Sequence, residues 1–227
     1  MNKEVRVYSH PRSGTNFLIQ ALKINFYPDV DFSVPGGKWG HWSDRKDIEE
    51  AHGAIEFARM AGGHRIPRKL KYPAIYIIRD GRSVALSVWK SEGFLNSTMN
   101  SMEFSEYLRT NLDWKYTPAI KVKPYQTILE HWIEHVIAWE NLQKIHPNLI
   151  TFVKYENLVL DFDRTMLKIQ ERLGLELKQP KIIYPREQVG PSPNFKNHID
   201  KYKEFFSKED LLFFEETIKK ARNVKKI

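Results

Sequence analysis

Residues 5–18 read VRVYSHPRSGTNFL, and the reading of this stretch decides the fold. Val5, Val7 and Tyr8 make a short β-prone run, which Pro11, Arg12, Ser13 and Gly14 break. From Thr15 onward, Phe17, Leu18, Ala21 and Leu22 fall at helical spacing. Strand, tight polar turn and helix is a geometry that binds phosphate, because a helix start offers unpaired backbone N–H groups and the positive end of a dipole. Gly14 lets the backbone approach an anion closely, Ser13 and Thr15 add hydroxyls, and Arg12 adds a fixed charge. The same residues also fit an ordinary strand-to-helix turn with a chance arginine. The stretch is not a Walker A loop, which needs GxxxxGK[ST]; here there is one glycine and no lysine after it.

Length and composition set the frame around that turn. The chain of 227 residues is expected to fold as one domain over 1–227, with 222–227 a frayed basic tail. At 41% hydrophobic and 13% aromatic it is no disordered chain. No apolar run approaches the ~20 residues that span a bilayer, and MNKEVRVYS lacks the apolar core of a signal peptide. With zero cysteines there is no disulfide, thiolate metal site or cysteine nucleophile, and the expected compartment is the cytoplasm. The net charge of +8 fits an anionic ligand, although much of it is solvated surface lysine.

Pattern along the chain predicts a helix from Asp44 or Asp47 to about Ala61, with Ile48, Ala51, Ile55 and Ala58 on one face. Residues 73–79 (PAIYIIR) form a continuous apolar strand, as a buried parallel strand does. Asp80 is a natural N-cap for a helix over 81–90. Residues 103–115 are weakly helical, 124–145 strongly so, and Pro147 stops the latter. Residues 149–154 (LITFVK) are a third strand, followed by a helix from Asp161 that ends at Gly174, and by a last helix that Ser207 caps. Strands separated by crossover-length helices predict an α/β fold: three layers, α/β/α, around a central parallel sheet. Such sheets bind ligands at the carboxyl ends of their strands, where Arg12, Arg79 and Tyr155 all fall.

Several segments then resemble one family. PRSGTNFL (11–18) is similar to the 5′-phosphosulfate loop of sulfotransferases that use 3′-phosphoadenosine 5′-phosphosulfate (PAPS). IYIIRDGRSVALSVWK (75–90) resembles the same family's 3′-phosphate motif, with Arg79 and Ser87 at the family's spacing. WIEHVIAW (132–139), FVKYENL (152–158), FDRTMLKIQERLGL (162–175) and PNFKNHI (193–199) extend the likeness over most of the chain.

The resemblance implies a P-loop-like sulfotransferase fold and an enzyme that moves a sulfuryl group from PAPS to a hydroxyl or amine. It implies a cofactor site of Arg12, Ser13, Gly14, Thr15, Asn16, Phe17, Arg79, Ser87, Tyr155 and Lys196, with no metal. Arg12 stands where relatives carry lysine, and Phe17 where they carry tryptophan. Gln188-Val189-Gly190 replaces the family's Arg-Lys-Gly, a charge that Arg186 could restore. His64, near Pro67, is the expected catalytic base, with His41 as the other candidate. The acceptor, a small molecule, sugar or lipid, would be selected by residues 25–43 and 91–124. A P-loop nucleoside kinase or NTPase and a non-catalytic nucleotide-binding module are the competing readings. Nothing in the sequence calls for a nucleic-acid partner or sets the oligomeric state.

Overall fold

The computed structural model describes residues 5–28, 55–57, 73–91, 94–113, 126–185 and 199–224. Its elements run β1 (Val5–Ser9), α1 (Thr15–Phe26), β2 (Ile55–Phe57), β3 (Ala74–Ile78), α2 (Gly81–Trp89), α3 (Ser97–Asn100) and α4 (Phe104–Arg109). They continue with α5 (Ile128–Ile145), β4 (Ile150–Lys154), α6 (Tyr155–Leu160), α7 (Phe162–Leu173), a 3-10 turn (Lys201–Glu204) and α8 (Lys208–Val224).

The four strands lie in the order β2-β1-β3-β4, every pair parallel. Val7 pairs with Ile75 and Ile75 with Thr151, so the carboxyl ends of β1, β3 and β4 sit side by side at one edge. The chain leaves β1 toward β2 on one side and toward β3 on the other. That reversal opens a crevice above β1 and β3, where parallel sheets bind their ligands.

Alternation along the strands sorts the layers. Val5, Val7, Ile75, Ile77 and Val153 face α1, α6 and α7, meeting Phe17, Leu18, Leu158 and Met166 in one core. Ala74, Tyr76 and Ile150 face the other way, onto Trp139 and Leu142 of α5. A third cluster joins α2 and α4 to α5 and α8 through Val84, Val88, Tyr107, Leu129, Ile133 and Phe214. The arrangement is the expected three-layer α/β/α sandwich.

The helix ends follow their local chemistry. Thr127 and Glu130 form a reciprocal capping box on α5. Asp80 caps α2 by accepting from the Arg82 backbone N–H. α7 stops at Gly174, which takes the left-handed conformation at φ 58°. Ser207 Oγ accepts from the Asp210 backbone N–H at 3.1 Å at the start of α8.

Three expectations change. Residues 55–57 lie in β2, paired with Val5–Val7, rather than in a helix reaching Ala61. Ile48, Ala51, Ile55 and Ala58 fit a helical stripe, but Ile-Glu-Phe also alternates with period 2, and the open edge of β1 supplies the backbone partners. Of the weak helix expected over 103–115, Phe104–Arg109 is helical and 110–113 are not, while 114 and 115 lie outside the described residues. Residues 222–224 are not frayed: α8 runs on to Val224, and Arg222 makes a bidentate pair with Glu140 at 2.9 and 3.0 Å, while 225–227 lie outside the described residues. Among the described residues no helix is long and apolar enough to cross a membrane.

Candidate active site

The turn between β1 and α1 carries two left-handed residues, Arg12 at φ 64° and Gly14 at φ 91°. For glycine this is free of strain, but for arginine it costs on the order of 1–3 kcal/mol and persists only where the surroundings impose it. Turns of this kind gather backbone N–H groups into an anion-binding concavity. Here that concavity adjoins the N-terminus of the 12-residue helix α1.

Two contacts hold Arg12 from across the crevice. Arg79, just beyond β3, donates from Nη1 to the Arg12 carbonyl at 3.1 Å. Arg12 Nε donates to Ser87 Oγ on α2 at 3.0 Å. Ser87 uses a lone pair in that bond, so its own proton is left to donate to a further acceptor. The Arg12 guanidinium lies 5.4 Å from the centroid of the Phe94 ring, and that of Arg79 lies 4.6 Å from the Tyr155 ring.

Two acids near the crevice make hydrogen bonds of their own. Asp80 accepts from Arg82 Nε at 3.0 Å, and its own backbone N–H donates to Glu156 Oε1 at 2.9 Å. Among the described residues no carboxylate forms an ion pair with Arg12. Although Arg12 keeps a solvent-exposed face, partial desolvation and then the charge of Arg79 push its pKa below the ordinary arginine value. Desolvation also lowers that of Arg79, against the opposing pull of Tyr155, Glu156 and Asp80. Both guanidinium groups nevertheless stay charged at physiological pH. The site therefore concentrates positive charge that an anion would relieve.

Other expected residues divide into three groups. Ser13 is fully buried, and its hydroxyl meets no hydrogen-bond partner among the described residues. Gly14 packs against the ring of Tyr155, itself buried. Asn16 is exposed at the start of α1. Thr15 turns its hydroxyl to Ser9 rather than into the crevice. Phe17 is 2% exposed and meets Phe162 and Tyr184, so this ring supplies core packing and has little surface left for a base. His64, His41, Lys196 and Arg186 lie outside the described residues.

Some supporting residues escape sequence reasoning. Trp132 of α5 donates from Nε1 to the Arg79 carbonyl at 3.2 Å, and its ring fills the space where a side chain at Gly81 would stand. In the sequence Trp132 opens the family-like WIEHVIAW, but its apolar spacing there does not disclose a contact with Arg79 or Gly81. Phe94 likewise carries no signal beyond hydropathy, and Glu156 lies in the family-like FVKYENL without a role that the segment itself discloses.

The chain matches the sulfotransferase domain family over residues 64–220, a range that begins after the anion loop. It is 27% identical over 186 residues to a 3-alpha-hydroxysteroid sulfotransferase of Cavia porcellus, covering 75% of this chain and 58% of that protein. It is 24% identical over 191 residues to human sulfotransferase 2A1, covering 78% of this chain and 61% of that one. The alignments thus take in about three fifths of the length of these relatives. Its fold is similar to that of mouse sulfotransferase SULT7A1 complexed with PAP, at a TM-score of 0.58 and 16% identity over 97% of this chain and 85% of that one. A sulfotransferase domain from the curacin biosynthetic pathway follows at a TM-score of 0.50 and 14% identity over 92% and 93%. With the family model covering more than half of this parallel α/β chain, the protein belongs to the sulfotransferase domain family.

Proposed function

We propose that this protein transfers a sulfuryl group from PAPS to a hydroxyl or amine of a small molecule, leaving adenosine 3′,5′-bisphosphate. The carrying observation is the hydrogen bond from Arg12 to Ser87, which makes the anion loop and the 3′-phosphate motif parts of one site. The PAP held by the mouse structural neighbour supports the same donor, and the steroid named for the guinea-pig relative supports a hydroxyl acceptor.

The residues fit a ligand with two separated phosphate groups. The partnerless hydroxyl of buried Ser13, the left-handed turn and the Arg12 charge suit the 5′ end. Arg79 and the proton of Ser87 suit the 3′-phosphate. Tyr155, stacked on Arg79, stands beside both, and Lys196 adds a further charge in this reading. When bound, PAPS supplies an activated sulfuryl group. Arg12 and the loop N–H groups stabilise charge that builds up on the leaving phosphate. Arginine cannot give up a proton at neutral pH, so Arg12 acts as an electrostatic donor and not as an acid. His64 takes the acceptor's proton, since an imidazole titrates near working pH.

Calorimetric titration of adenosine 3′,5′-bisphosphate, AMP, ADP and ATP, with and without EDTA, tests the reading. The bisphosphate is expected to bind most tightly and without Mg²⁺, because unsatisfied donors cost roughly 1–3 kcal/mol each. Arg79→Ala should erase most of that preference. Equal affinity for AMP and the bisphosphate, or a Mg²⁺-dependent preference for ATP, overturns the reading in favour of a nucleoside kinase. A screen of labelled PAPS against phenols, sugars and lipid alcohols then finds the acceptor.

A further inference from the structure

Three histidines outside the phosphate motifs meet beneath the anion loop. His10 is 1% exposed, and His131 and His135, one turn apart on α5, are each 7% exposed. His10 Nε2 lies 2.8 Å from His131 Nδ1, and His10 Nδ1 lies 2.9 Å from the Pro11 carbonyl oxygen. The His135 ring meets His10 edge-on at 5.6 Å between centroids, and the Tyr76 hydroxyl is 2.8 Å from His135 Nδ1. Among the described residues no such group is placed to hold a metal ion.

The hydrogen bonds determine where the protons sit. A carbonyl oxygen only accepts, so His10 carries its proton on Nδ1. In a neutral His10 the Nε2 atom is then a lone pair, and His131 must donate to it from Nδ1. Burial and the neighbouring His131 and His135 keep His10 neutral by holding its pKa well below 6.5, against the smaller opposing pull of the Pro11 carbonyl. The chain of donors runs one way: His131 to His10, and His10 to Pro11.

We propose that His10 is a positioning residue for the anion loop, and that its His131-held imidazole fixes the Pro11–Arg12 peptide in the orientation the left-handed Arg12 requires. The peptide is planar, so anchoring the Pro11 carbonyl on His10 turns the Arg12 N–H to the opposite side. Arg12 sits at φ 64°, which an arginine does not keep without an imposed contact. Arg79 holds the carbonyl on the far side of the same residue, so His10 and Arg79 grip Arg12 from both ends.

The test rests in part on the proposed PAPS site, and its arms separate the two. The ¹⁵N shifts of the imidazole nitrogens in the wild-type protein report the tautomers without any ligand. Nδ1–H forms of both His10 and His131 are expected, and an Nε2–H form of His10 overturns the proposal. Titration with adenosine 3′,5′-bisphosphate then compares His10→Asn with His10→Phe. Asparagine keeps an amide N–H where Nδ1 stands but leaves a void, whereas phenylalanine fills the space without a donor. His10→Asn should bind within about threefold of wild type, and His10→Phe about 3- to 10-fold more weakly than wild type. The reverse order would mean that His10 only packs, and would overturn the proposal. A wild-type protein that ignores the bisphosphate defeats the proposed PAPS site alone, and the imidazole tautomers still decide the role of His10.

Discussion

Gly14 and Tyr155 are packed so closely that a Cβ on Gly14 would stand 2.2 Å from Tyr155 Cδ2 and 2.6 Å from Cε2. The ring that carries Arg79 on one side thus rests on the anion loop itself. Gly14 meets two independent demands, since its φ of 91° also excludes most side chains.

Gly14→Ala should therefore destabilise the fold by about 1–3 kcal/mol and weaken nucleotide binding along with it. Adding Tyr155→Ala in that background should recover the steric part of the loss and leave the backbone part. Thermal unfolding of the two single variants and the double variant checks this through their coupling. An unchanged midpoint in Gly14→Ala contradicts the close packing.

Arg12→Ala should lower turnover by ~10²–10³, the usual cost of one lost transition-state donor. Arg12→Lys should retain more activity than Arg12→Ala, because lysine still supplies a point charge. Full recovery is not expected: lysine has no Nε fork, and the 3.0 Å bond to Ser87 is made by Nε. Steady-state rates with saturating PAPS and any working acceptor measure the order. Wild-type rates in Arg12→Ala would end the assignment of the loop.

His64→Ala should depress the transfer rate while leaving affinity for adenosine 3′,5′-bisphosphate nearly unchanged, since a base touches the acceptor and not the nucleotide. The acid limb of the pH–rate profile should disappear with it. If His41→Ala behaves this way and His64→Ala does not, the two roles exchange.

Stability should fall as pH drops below about 6.5. His10 binds a proton in the unfolded chain at its ordinary value of 6.5 but only well below that in the folded protein, because burial first and then His131 and His135 oppose the charge. Between those two points the unfolded state holds more protons, so stability rises with pH there, by at most about 1.4 kcal/mol per unit. Denaturant unfolding between pH 5 and pH 8 measures the slope, and His10→Phe should flatten it. An equal slope in that variant would assign the acid sensitivity to other groups.

The meeting of Arg12, Arg79 and Tyr155 was legible in the sequence because each marks a local feature. PRSGT at the end of a β-prone run, Arg79 at the end of PAIYII and Tyr155 after LITFVK each mark a strand's carboxyl end, and parallel crossovers place those ends together. Asp80, Gly174 and Ser207 announced their caps for the same reason. Tertiary structure alone decided contacts between distant segments. Ile55–Phe57 became a strand because β1 offered an edge, which no window of 14 residues contains. Phe17 went into the core because α1 turns that face toward Phe162 and Tyr184. His10 met His131 only when α5 crossed the back of β1 and β3, and Arg12 met Ser87 only when α2 rose beside the loop. Periodicity records which face of an element is buried, whereas the partner it is buried against depends on how elements far apart in the chain pack.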